Sequence, residues 1–213
     1  MTDDPPPERG WRGSSELWLD AAYQALVAKG VDAVKIMPLA NSLKLSRTSF
    51  YWFFKDRGQL LAALLERWEK ATTAALIAAT ESYAASRPEA MLNVIAIFMS
   101  EAQFDTALEL AVRAWAQRDP SVLARLQAND ARRLEALRAM LLRLGFAPAD
   151  ADVRARTIYL VQIGYISMRV QEDLAERVAR HPYYVEVYIG ERPSAEEMAR
   201  FCAAIGYDTP TPT

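Results

Sequence analysis

The chain has 213 residues, 52% of them hydrophobic, enough for a full core in one large domain or two small ones. A single cysteine, Cys202, excludes an internal disulfide, and with one histidine, His181, the residues for a zinc or iron centre are lacking; no metal and no cofactor are expected. The net charge of −2 is not that of a globally basic nucleic-acid binder, and no stretch approaches the roughly 18 apolar residues of a membrane span, so a cytoplasmic protein without membrane contact is expected.

The N-terminal segment MTDDPPPERG has little to bury and three consecutive prolines without amide donors, which predicts a disordered arm over residues 1–13. Ser14 or Ser15 can cap a first helix, along which Leu19, Ala22, Tyr23, Leu26 and Val27 recur at helical spacing until Gly30. A short helix from about Met37 to Leu43 follows, with Pro38 in its first turn. Ser46 is placed to cap a third helix, with Leu45 and Phe50 positioned as a hydrophobic staple. Asp56 and Gln59 have capping-box spacing and open a long fourth helix, whose predicted seam is Leu61, Leu64, Trp68, Ala71, Ala75 and Ala78.

Beyond residue 82 the patterning stays helical. Segments are predicted from Pro88 to about Ala102, from Ala107 to Arg118, from Ser121 to Leu144, and from Pro148 to about Arg180 with a break near Gln171. Ser194 and Glu197 form a second capping box for a final helix ending at Gly206. HPYYVEVYIGERP, residues 181–193, is ambiguous, because its alternating valines fit an extended piece among helical neighbours. The expected organisation is an arm (1–13), a helix-turn-helix domain (14–60), a helical regulatory and dimerisation domain (61–206) and a tail (207–213).

Charge is unevenly spread. Lys29 to Arg57 carries six basic residues against two acidic ones, whereas Glu172 to Arg200 carries seven acidic against four basic. Within the basic stretch, LSRTSFYWFFKDRGQLL sets five aromatic residues between cations. On a helical wheel of about 100° per residue, Phe50, Phe53 and Phe54 share one side, while Arg47, Thr48, Tyr51 and Trp52 share the other. Two short helices joined by a tight turn have the layout of a helix-turn-helix, whose second helix fits the major groove. Arg47 suits guanine or phosphate, Thr48 a thymine methyl, and Tyr51 a phosphate oxygen; Lys44, Lys55 and Arg57 add charge, the last two beside the amides that open the fourth helix.

On these residues, 15 to about 62 resemble the DNA-binding domain of the TetR/AcrR family of bacterial transcriptional regulators. The likeness lies in AKG followed by PLANSLKLSRTSFYWFFKDRGQLL, where Tyr51, Phe54 and Arg57 stand at the family's Tyr, Phe and Lys positions. Lys44 departs from the usual turn glycine, and Lys35 from a common threonine cap. The resemblance implies phosphate contacts by Tyr51 and Arg57, and groove contacts by Arg47, Thr48 and Trp52. The rest of the chain resembles the family in layout and in AVRAWAQRDPSVLARLQANDARRLEAL. This implies an all-α protein whose long fourth helix links a three-helix head to a ligand-binding domain, dimerising through the last two long helices.

The function expected is a non-enzymatic, ligand-responsive repressor that binds a palindromic double-stranded DNA operator as a homodimer. A helical protein-interaction module that has lost DNA reading is the alternative. No Ser-His-Asp set, phosphate loop or carboxylate pair stands out for catalysis. Phe98, Phe104, Trp115, Tyr159, Gln162, Tyr165 and Met168 are candidate walls of a cavity for a small, largely apolar organic effector, although helix-spaced aromatics commonly serve as plain core. Arg113 reads either as a buried anchor or as a surface cation, His181 as structural or exposed, and Cys202 as a small core residue.

Overall fold

A computed structural model describes residues 13–100 and 102–207, and among them every regular element is helical. The expected arm and tail therefore lie outside the described residues, apart from Gly13 and Tyr207. The chain divides into two compact units, the first ending at Glu66 and the second starting at Arg67, further along the fourth helix than the expected boundary at residue 60.

In the first unit α1 (Ser15–Lys29) starts where the Ser14 side chain accepts from the Leu17 amide and ends at Gly30, whose φ of 80° favours glycine. Its buried seam is Trp18, Ala22 and Leu26: Ala22 and Leu26 are as expected, Trp18 lies outside the expected stripe, and Leu19, Tyr23 and Val27 are half-buried beside it. A 3-10 turn, Val31–Ala33, leads to α2 (Ile36–Leu43). The α2 N-cap, Lys35, makes no side-chain capping bond, the consequence of having no hydroxyl there. Leu45 N–H donates to Ala40 O at 2.9 Å, closing α2 in a Schellman-type turn with Lys44 left-handed at φ 55°.

The third helix, α3 (Arg47–Phe50), is a single turn capped by Ser46, after which residues 51–53 continue as tight turns. α4 (Arg57–Trp68) opens on the expected Asp56 cap, whose Oδ1 accepts from Gln59 N at 2.9 Å, but Gln59 reaches back to the Lys55 amide. A π-helical segment, Glu69–Ala74, and α5 (Ala75–Glu81) follow without interruption. The π turn inserts one extra residue, so a seam drawn at constant helical period fails here. Thr72, Thr73, Leu76 and Thr80 are buried in place of Ala71, Ala75 and Ala78.

The second unit continues with α6 (Arg87–Ile97), α7 (Thr106–Ala116), α8 (Pro120–Arg143), α9 (Pro148–Met168), α10 (Leu174–Ile189) and α11 (Ala195–Ala204). α8 and α9 pair along their lengths, and α10 packs on α6 and α9. The core includes Met91, Val94, Leu137, Leu141, Ile158 and Val185. The ambiguous segment after His181 is helical to Ile189, with Pro182 inside α10; its valines are split, Val185 buried and Val187 exposed. Proline carries no amide hydrogen, so one backbone bond of that helix is missing. The break expected near Gln171 is present at residues 169–173. Ser194 and Glu197 make the full capping box of α11.

Candidate nucleic-acid interface and cavity

The aromatic run divides between core and surface because of how α3 is anchored. Phe50 is fully buried, meeting Trp18 edge to face at 5.2 Å and stacking with Phe54 at 5.5 Å. Phe53 is half-buried rather than core, because the chain tightens after Phe50 and turns that ring away from the stripe. Anchoring Phe50 and Phe54 leaves Arg47, Thr48, Tyr51 and Trp52 exposed, with Trp52 at 64%. That a large indole is left open to water is the feature least explained by folding.

These outward groups are organised. Arg47 Nη2 donates to the Tyr51 hydroxyl at 3.0 Å, and its guanidinium lies 5.7 Å from the Tyr51 ring centre. Tyr51 in turn meets Phe50 edge to face at 5.4 Å. Accepting from Arg47 leaves the Tyr51 O–H proton for an acceptor such as a phosphate oxygen. Lys44 and Lys55 flank the face, both exposed.

Arg57 is placed differently. Its Nε donates to Val34 O at 2.5 Å and Nη2 to Val31 O at 2.8 Å, tying the start of α4 to the 3-10 turn. Only its remaining N–H groups are left for a phosphate.

In the second unit a cleft of about 450 Å³ lies among the ends of α6 and α9 and the starts of α7 and α10. Of the sequence-derived candidates, Phe98, Gln162 and Tyr165 line it. Phe104, Trp115 and Tyr159 do not line it, and Met168 is exposed. Phe104 is fully buried, 4.7 Å from Phe98.

Tyr159 belongs to a buried ionic network that sequence reading missed. Arg133, fully buried, donates to both Glu109 oxygens, to Thr72 and Thr73 of the π turn, and to the Tyr159 hydroxyl, all at 2.7–3.0 Å. Glu109 also accepts from Trp68 Nε1 at 2.6 Å and from Arg113 Nε at 2.8 Å. Arg113 is thus a half-buried anchor, gripping Asp130 as well at 2.7 Å. Burial works to raise the Glu109 pKa, but Arg133 and Arg113 outweigh it and hold the carboxyl below its ordinary range. A sequence signal existed, since the α8 seam Val122, Leu126, Asn129, Arg133, Leu137 and Met140 puts two polar residues at core positions.

His181 is buried with Nδ1 unpartnered and its ring edge-on to Phe201 at 5.0 Å. Burial, with Arg177 and Arg180 nearby, lowers its pKa to about 4, so it serves as a neutral core residue. Cys202 is buried, and burial raises its thiol pKa.

Residues 19–64 match the family model for bacterial regulatory proteins of the tetR family. The fold is similar to that of a transcriptional regulator from Rhodococcus sp. Rha1, at 15% identity and a TM-score of 0.59, covering 90% of this chain and 97% of that one. It is also similar to AmtR of Mycobacterium smegmatis, at 18% identity and a TM-score of 0.61, covering 97% of this chain and 100% of that one. At such identities the likeness is one of fold. No curated protein shows significant sequence similarity to the chain.

Proposed function

We propose that the chain, whose residues 19–64 match the model for bacterial regulatory proteins of the tetR family, is a DNA-binding regulator of transcription of that family, a dimeric repressor released from a palindromic operator by a small organic effector. The observation that carries the reading is the outward set Arg47, Thr48, Tyr51 and Trp52, held on a capped helical turn by the buried Phe50 and Phe54. Arg47 and Thr48 are proposed to meet base edges, Tyr51 and Lys44 phosphates, and Trp52 the sugar or methyl surface of the groove. Lys55 supplies charge at the groove margin. Arg57 acts first as a strut holding α4 to the head, with a phosphate contact left to its free donors.

The effector is proposed to occupy the cleft lined by Phe98, Gln162 and Tyr165. It regulates by favouring one of two conformations of the dimer, a population shift with no chemistry required.

Fluorescence polarisation with DNA taken from upstream of the gene, across a salt series, tests the reading. Binding should weaken steeply with salt, log K falling by about 0.9 per phosphate neutralised for each unit of log salt. Tyr51→Phe should weaken all sequences alike, whereas Arg47→Ala should cost about 1–3 kcal/mol and relax preference at particular bases. Absent binding at low salt, or binding indifferent to salt, overturns the proposal.

A further inference from the structure

Resting on the reading of the second unit as an effector-binding domain, the geometry points to an organic carboxylate with an apolar body as the ligand of the 450 Å³ cleft, its head held by Arg177 and Arg169. The volume falls within the range of about 300–1,000 Å³ typical of small-molecule sites. Phe98, Met99, Leu110 and Ile166 offer an apolar wall. Arginines are the only charged side chains among the described lining residues, the carboxylate of Glu172 standing outside the lining at 3.9 Å from Arg177.

Arg177 is only loosely paired within the chain. Arg177 has its nearest carboxylate oxygen, Glu172 Oε1, at 3.9 Å, beyond hydrogen-bond distance, while the other Glu172 oxygen is held by Arg180 at 2.5 Å. The Arg177 guanidinium rests instead on the Tyr165 ring face, 5.3 Å from its centre. Its place in the first turn of α10 is also one where aligned peptide dipoles favour an anion over a cation. A cation there, loosely paired with Glu172 and largely out of water beside an apolar wall, gains from a carboxylate that can take two parallel N–H bonds. Arg169 stands at the end of α9 in the left-handed conformation, φ 51°, which a glycine would adopt without steric cost. It lines the same cleft as Arg177. Gln162, buried, and Thr106 supply the neutral polar contacts that orient a bound head group.

Isothermal titration and thermal melting of the full-length protein, without DNA, with decanoate and 4-phenylbutyrate against decanol and 4-phenylbutanol, test the assignment. The acids should bind saturably and raise the melting temperature, and the matched alcohols should not. Arg177→Gln and Arg169→Gln should each weaken acid binding by about tenfold or more, each factor of ten being about 1.4 kcal/mol. Arg177→Lys should keep the preference for acid over alcohol, and Arg138→Gln, on a different cleft, should leave binding unchanged. Melting without ligand shows whether each variant is folded.

Alcohols binding as tightly as the acids, failure of both acids to bind at millimolar concentration, or acid affinity unchanged in the folded Gln variants would overturn the assignment. If the acids bind through the arginines but leave operator affinity unaltered, the anion site stands and the ligand-responsive reading fails. A neutral molecule that releases DNA while the acids do nothing gives the converse result.

Discussion

Lys44 shows how a proposed partner contact and the fold can pull a single residue in opposite directions. It occupies the left-handed position that ends α2, at φ 55°, where a side chain costs about 1–2 kcal/mol relative to glycine. Glycine in turn loses more freedom on folding, which offsets part of that gain. Lys44→Gly should therefore stabilise the protein by about 0.5–1 kcal/mol, read as a higher melting temperature. The same change should lower DNA affinity at all sequences and reduce the salt slope by about one if the ammonium meets a phosphate. A more stable variant with unchanged DNA binding would remove Lys44 from the contact set. The departure from glycine was visible in the sequence, but its conformation was not. Arg57 is the contrary case: its basic character was legible, while the carbonyls of Val31 and Val34 that it holds lie far back in the chain and left no local sign.

At the scale of elements, caps and breaks were read well, because Ser14, Ser46, Asp56 and Ser194 act through bonds to amides a few residues away. Seams were read less well wherever packing altered the period, above all at the π turn Glu69–Ala74. That turn faces Arg133, which bonds Thr72 and Thr73 while gripping Glu109. The ion pair is fully buried, so removing one partner leaves a charge without compensation; Glu109→Ala should cost about 3–5 kcal/mol in denaturant unfolding. Adding Arg133→Met to that variant should recover part of the loss, and a double variant as unstable as the sum of the two would show that the charges are not coupled. The pH dependence has a fixed sign. Because the Glu109 pKa is lowered in the folded state, its contribution is complete above the ordinary value of 4.5 and is lost as pH falls below it.

At the scale of the whole molecule, what the folded chain leaves uncovered matters as much as its core. α9 turns Ala151, Ala155, Ile158 and Tyr159 inward, and leaves Val153 and Leu160 exposed at 62% and 63%, two turns apart on one outward face. α10 likewise buries Val178, His181 and Val185 but exposes Tyr183 and, at 69%, Val187. Apolar residues repeated on outward faces of adjacent long helices fit an interface with a second copy, and the proposed palindromic operator requires such a pair. In a two-fold interface each substitution counts twice, and covering one leucine is worth about 1.5–3 kcal/mol. Leu160→Glu and Val187→Glu, each replacing an exposed apolar group, should leave the helical spectrum and melting of the subunit intact while shifting its mass by light scattering from dimer to monomer at micromolar concentration. Operator affinity should drop with it, because two heads no longer bind as one linked unit. If both variants stay dimeric at the wild-type dissociation constant, these faces are not the interface.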